Sequence, residues 1–137
     1  IQSFVRDSIF DGYISSAHDV SDGGLAIALA ECSIASDLGA HCQFPSSQIR
    51  LDRLLFAEGG ARVIVSVSAS KEQEWLDCLK EFNYQNSSSI ALSKLGYVQS
   101  VKELRIIQMK SNIIDLPLSK LKEIFENAIS RRLDINK

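Results

Sequence analysis

No apolar run in this sequence approaches the roughly 18 residues that a helix needs to cross a bilayer, and no charged leader with a short apolar core stands at its start. A membrane partner is therefore not expected. Positive charge is not in excess either: 15 Lys and Arg stand against 17 Asp and Glu, for a formal net charge of -2. The basic residues are scattered rather than gathered on one element, which argues against a nucleic-acid partner. Cysteine is scarce and odd in number. Cys32, Cys42 and Cys78 lack close metal-ligand spacing and each falls in an apolar pattern, so they are expected as reduced core thiols of a cytoplasmic protein, with no metal site. No serine or cysteine has a matching base in view, so covalent catalysis and a catalytic residue are not expected. Internal repeats and low-complexity segments are missing as well. The only methionine is Met109, and Ile1 already lies inside a helical pattern, as expected of a piece of a longer chain.

What is present suits one globular domain: 137 residues, 45% apolar and 23% charged, enough to bury a core. Val5, Ile9, Phe10 and Tyr13 fall at helical spacing and predict a first amphipathic helix before Gly12. Residues 16–20 read as a short buried strand. Residues 24–36 are apolar nearly all round, the pattern of a central helix kept thin by Ala26, Ala28 and Ala30, with Glu31 its one strong charge. Gly39 restarts the chain as a strand over 40–44, Pro45-Ser46-Ser47 makes a turn, and Ile49, Leu51, Leu54, Leu55 and Phe56 suggest a short helical or irregular passage. Val63, Val65 and Val67 alternate in the clearest strand of the chain.

Ser70 and Gln73 suit a capping box for a helix whose apolar side carries Trp75, Leu76, Leu79 and Phe82 and covers one sheet face. Residues 83–89 read as a surface loop. Residues 90–98 and 104–109 read as strands joined by a turn near 100–103, with Gly96 at a bulge. A last helix places Leu121, Ile124, Phe125, Ala128 and Ile129 on one docking stripe, and Arg131 and Arg132 at the end where cations favour the helix dipole.

The chemistry concentrates in Ser16-Ala17-His18-Asp19-Val20-Ser21-Asp22-Gly23-Gly24-Leu25, a strand that runs through two carboxylates and a glycine pair into a helix. A tight turn with exposed helix N-terminal amides can receive an anion. A second glycine pair, in Glu58-Gly59-Gly60-Ala61-Arg62, opens the strand at Val63, and two such corners suggest a ligand edge. Asp19 and Asp22 could share a divalent cation or bind a ribose hydroxyl, and Gly23 and Gly24 let a phosphate approach bare amides. Asp22 equally suits an ordinary N-cap, worth roughly 1 kcal/mol. Asp19, an acid inside an apolar strand, needs a partner. His18 could act as base or ligand, but strand alternation points it away from Asp19 and a packed, hydrogen-bonded role competes; His41 has no constellation. Glu58 and Arg62 either hold a substrate or pair with each other. The candidate binding set is Asp19, Ser21, Asp22, Gly23, Gly24, Glu58, Gly59, Gly60 and Arg62.

Residues 17–26 with Ala28-Leu29-Ala30-Glu31, then Leu55-Phe56-Ala57-Glu58 and Arg62-Val63-Ile64-Val65-Ser66-Val67, closely resemble the synthetase subunits of phosphoribosylformylglycinamidine synthase, within the aminoimidazole ribonucleotide synthetase superfamily. The resemblance covers essentially the whole chain, and residues 118–133 look like the C-terminal end of such a subunit. It implies an α+β fold, a three-layer, partly ferredoxin-like domain with a mostly antiparallel mixed sheet flanked by helices. It also implies the final domain of the second of two tandem halves. The implied activity is that of an ATP-dependent ligase of purine biosynthesis, which converts formylglycinamide ribonucleotide to its amidine through an iminophosphate.

By the same resemblance, ATP and magnesium serve the whole enzyme, and neither is expected on this domain alone, because the nucleotide-binding residues and the catalytic histidine belong mainly to N-terminal domains. Those domains, a glutaminase subunit and a small accessory subunit are the implied partners, in the cytoplasm. One departure matters. The family usually carries glutamate-serine-glutamine before the long strand, where this chain has Glu58, Gly59 and Gly60. The lost side-chain donors imply a degenerate site that serves as scaffold, inert by itself. Another superfamily member, of the aminoimidazole ribonucleotide synthetase or thiamine phosphate kinase type, and a separate phosphometabolite-binding module are the alternatives.

Overall fold

The computed structural model describes residues 1–45 and 49–134, with side chains up to residue 128. The elements run α1 (Gln2–Phe10), β1 (Ile14–Asp19), α2 (Gly24–Ser36), β2 (Gly39–Phe44), α3 (Leu51–Phe56), β3 (Val63–Val67), α4 (Glu72–Gln85), β4 (Gly96–Gln99), β5 (Glu103–Gln108), β6 (Ser111–Pro117) and α5 (Leu118–Asp134). Most of the turn expected at Pro45-Ser46-Ser47 lies outside the described residues, as do the side chains of Ile129, Arg131 and Arg132. The chain divides into two compact units, Ile1–Asp22 with Glu58–Lys94, and Gly23–Ala57 with Leu95–Lys137.

The first unit is built on a two-stranded antiparallel ribbon in which Ala17 faces Val65 and Asp19 faces Val63, with an irregularity between Ile14 and Ser16. Two strands alone are marginal in water, so their apolar face needs a cover. α1 and α4 supply it. Phe4, Ile14, Trp75 and Leu79 are buried together, with Val5, Val65, Val67, Leu76 and Phe82 packed around them. The Trp75 indole N–H donates to Ser8 Oγ at 3.0 Å, so the deepest polar atom of the cluster keeps its bond.

Four expectations fail in this unit. β1 is not a buried strand: only Ile14 is enclosed within it. Ile9 and Phe10 do not face the core, and Phe10 is 91% exposed; α1 buries Phe4 and Ser8 instead, one turn apart. The capping box at α4 does not form, because Lys71 is the N-cap residue and no side chain caps the helix. Ser70 pairs with Ser68 and Gln73 reaches forward to Asp77. α4 also continues through residues 83–85, which a polar composition had suggested were loop.

The second unit holds a four-stranded sheet in the order β4-β2-β5-β6. β2 is antiparallel to β4 and parallel to β5, and β5 is antiparallel to β6, so this is the mostly antiparallel mixed sheet of an α+β fold. Cys42, Phe44, Leu104 and Ile106 are buried. α2 packs on β2 and β5, and buries Leu25, Ala26, Ala28 and Leu29. The central helix expected from the composition is thus present.

The strand expected over 90–98 shrinks to β4, and β6 was not anticipated. β4 and β5 are consecutive, yet β2 lies between them. Gly96 marks no bulge; a side chain there would collide with the His41 carbonyl of β2. α5 docks by its start, with Leu118 buried, while Ile124 and Phe125 of the expected docking stripe are exposed. At the far end of α2, Asp37 takes the left-handed C-cap position. Its carboxylate receives Lys102 at 2.5 Å and Lys122 at 2.8 Å, and the two ammonium groups hold its pKa down to about 2. All three cysteines are free. Burial pushes the Cys42 thiol up to about 11, so it is an inert thiol at neutral pH.

Candidate functional site

The antiparallel ladder of the first unit runs one step past Asp19. Val20 N–H donates to the Arg62 carbonyl at 3.0 Å, and Arg62 N–H donates to the Gly60 carbonyl at 3.0 Å. Two stretches some forty residues apart in sequence, 19–22 and 58–62, therefore leave the same end of the ribbon side by side. Asp19, Ser21, Asp22, Glu58, Gly59 and Gly60 are all exposed there, and Arg62 is half-buried. Pairing of β1 with β3 brings these candidates together; Gly23 and Gly24 belong to the second unit.

Asp19 does not need the buried partner that its place in the sequence suggested. Its side chain is 76% exposed, with His18 Nδ1 4.0 Å away, because β1 turns this end to solvent and water solvates the carboxylate. His18 sits on the opposite strand face, across from Ile64, and its Nδ1 donates to the Asp19 carbonyl at 2.6 Å. That bond fixes the ring locally, as the packed, hydrogen-bonded alternative held. In the second unit the His41 ring stacks on Tyr97, with centroids 5.1 Å apart and planes within 4°.

Asp22 is not the N-cap of α2. That position is held by Gly23 at φ 76°, without a side-chain cap, and a left-handed glycine there leaves Asp22 one residue outside the helix. Its carboxylate is thus left exposed rather than spent on a helix end. The glycines of this corner also have a packing role. A Cβ on Gly24 would lie 2.7 Å from the Phe56 carbonyl carbon and 2.9 Å from the Leu55 oxygen, so the space beside it is filled by the backbone of α3 rather than left for a phosphate. Gly59 and Gly60 differ: a Cβ on either meets nothing within 4 Å. The open end of the ribbon therefore combines three carboxylates, one guanidinium and bare backbone, a set suited to hydroxyl and amide groups. Among the described residues no group of three or more His, Cys, Asp or Glu is gathered to hold a metal.

One polar pair escaped the sequence reading. Tyr13 O–H donates to Glu74 Oε1 at 2.8 Å, and this bond, with Cys78 alongside, raises the phenol's pKa. No spacing signal links residues this far apart; only the packing of α4 against the end of α1 does.

A family model described as AIR synthase related protein, C-terminal domain, matches residues 2–106. The phosphoribosylformylglycinamidine synthase subunit PurL of Prochlorococcus marinus strain MIT 9303 is 48% identical over 136 residues, which are 99% of this chain and 17% of that protein. PurL of strain SARG is 46% identical over 134 residues, again 17% of its length. The chain therefore spans about a sixth of these curated relatives. Solved Thermotoga maritima PurL complexed with FGAR, and the same protein complexed with ATP, share the fold with a TM-score of 0.71 at 17% identity, over 87% of this chain and 20% of theirs.

Proposed function

Because the chain belongs to the family of AIR synthase related proteins, as their C-terminal domain, we propose that it is the single closing domain in the second half of a phosphoribosylformylglycinamidine synthase synthetase chain. The parent on this reading is a ligase of purine biosynthesis in the cytoplasm. It turns formylglycinamide ribonucleotide, ATP and ammonia into formylglycinamidine ribonucleotide, ADP and phosphate. The observation that carries the reading is 48% identity over 99% of the chain to a PurL subunit of which the chain spans only 17%.

The domain's part is support. Its exposed loop pair presents Asp19, Ser21, Asp22, Glu58 and Arg62 beside the unsubstituted backbone of Gly59 and Gly60, and Gly23 and Gly24 set the start of α2. The loop pair of the first unit forms a degenerate half-site and carries none of the bond-making groups. On this reading the metal and the nucleotide belong to the N-terminal domains of the parent chain. Those domains, a glutaminase subunit that supplies ammonia and a small accessory subunit are its partners.

Three proteins test this: the intact parent, the parent lacking these 137 residues, and the 137 residues alone. Each is assayed for ADP release dependent on formylglycinamide ribonucleotide and ammonia. The intact parent should turn over, and the other two should not. Turnover by the isolated domain, or an undiminished rate from the truncated parent, overturns the proposal.

A further inference from the structure

Within the first unit, α1 and α4 lie antiparallel. Phe4 near the start of α1 packs on Phe82 late in α4, with ring centroids 5.1 Å apart, while Tyr13 beyond the end of α1 bonds Glu74 near the start of α4. Between them runs a groove of about 610 Å³. Phe4, Phe82 and Tyr13 give it an apolar floor, and its rim is acidic on both sides. Asp7 on α1 and Asp11 at its C-cap stand one turn apart. Glu74, Asp77 and Glu81 recur at steps of three and four on α4, so they share one face of that helix. Like charges one turn apart repel. Within the unit two cations answer them, Arg6 with Asp7 at 2.8 Å and Lys80 with Asp77 at 2.7 Å. None of these carboxylates enters the loop pair at the ribbon's end.

We propose that this groove docks a basic amphipathic helix of a partner protein, one that carries Lys or Arg on both flanks of an apolar stripe. Two antiparallel helices leave a seam into which a third can lay its apolar side. Charge complementarity sets the rest, because only a cationic flank answers both rims at once. The α4 wall from Glu74 to Gln85 is about 16 Å long at 1.5 Å per residue, room for about three turns of the incoming helix.

The test uses the full parent chain and two synthetic helical peptides, one with a leucine stripe flanked by arginines and one with glutamates in their place. Binding is read by fluorescence anisotropy. The arginine peptide should bind and the glutamate peptide should not. Asp11→Lys combined with Glu81→Lys should weaken binding by about tenfold or more. Raising salt from about 50 to about 300 mM should weaken the parent's binding several-fold and barely affect the variant's. Asp11→Asn with Glu81→Gln, which adds no new charge to either helix, should fall between the two and keep the parent's melting temperature. Equal binding of both peptides, or unchanged affinity in both variants, overturns the proposal. So does hydrogen exchange that finds this face of α1 and α4 already protected by the parent's own domains or by a second copy.

Discussion

Gly23-Gly24 and Gly59-Gly60 are the same dipeptide in two surroundings. All four glycines have positive φ. At Gly24 the backbone of Phe56 stands where a side chain would go, at 2.7 Å, while at Gly60 there is open space to 4 Å. A glycine pair thus announces an unusual backbone conformation and says nothing of what lies beside it. Gly24 lets α2 and α3 approach within the second unit; the second pair leaves bare peptide groups at the surface of the first.

Substitution sharpens that contrast. Gly24→Ala combines a positive φ with a collision against backbone, which cannot swing aside, and should lower unfolding free energy in urea by about 3–4 kcal/mol. Gly23→Ala should cost somewhat less, about 2–3 kcal/mol, since Ile27 Cγ1 at 2.5 Å can rotate aside although Ile27 Cβ at 2.9 Å cannot. Gly60→Ala carries the φ penalty alone, about 1 kcal/mol, and Gly60→Asn a fraction of that. If Gly60→Ala matches Gly24→Ala, the distinction between packed and open glycines collapses.

The opposite end of α2 gives a smaller, pH-dependent effect. The folded pKa of Asp37, about 2, lies below the ordinary aspartate value of about 3.9, so its ion pairs stabilise above that ordinary value and are lost as pH falls from about 4 through about 2. Asp37→Asn should lower stability at neutral pH, where the ion pairs are intact, flatten the acid-unfolding curve in that window, and match the parent below about pH 2. Asp19→Ala, at an exposed and solvated carboxylate, should stay within about 0.5 kcal/mol of the parent in the same urea experiment. A loss of several kcal/mol there would mean that Asp19 is held by contacts its exposure does not suggest.

What could be read from the sequence followed from short-range pattern. Continuous apolar character marked α2, β-branched alternation marked β3, and the Leu121 to Ala128 spacing marked α5, because periodicity depends only on neighbours along the chain. What was missed depended on remote neighbours or on competing local chemistry. β6 is interrupted by Ser111, Asn112 and Asp115 and closed by Pro117, so it lacks an alternating signature. The insertion of β2 between β4 and β5 has no local signal at all. Phe10 and Phe125 show that an apolar position identifies a face without identifying what covers it. At the candidate site, the two loops were legible as glycine-rich corners, but their side-by-side placement came from the β1–β3 register. The capping roles given to Asp22 and Ser70 were wrong because each has a neighbour, Gly23 or Lys71, that occupies the cap position first.

The parallel pairing of β2 with β5 has a consequence for biosynthesis. Ala40 finds its partner Leu104 only 64 residues later, so at typical elongation rates β2 emerges from the ribosome about 3–13 s before the strand that completes its inner edge. During that interval Cys42 and Phe44 are displayed on a nascent chain, and this is the window in which a chaperone has most to protect.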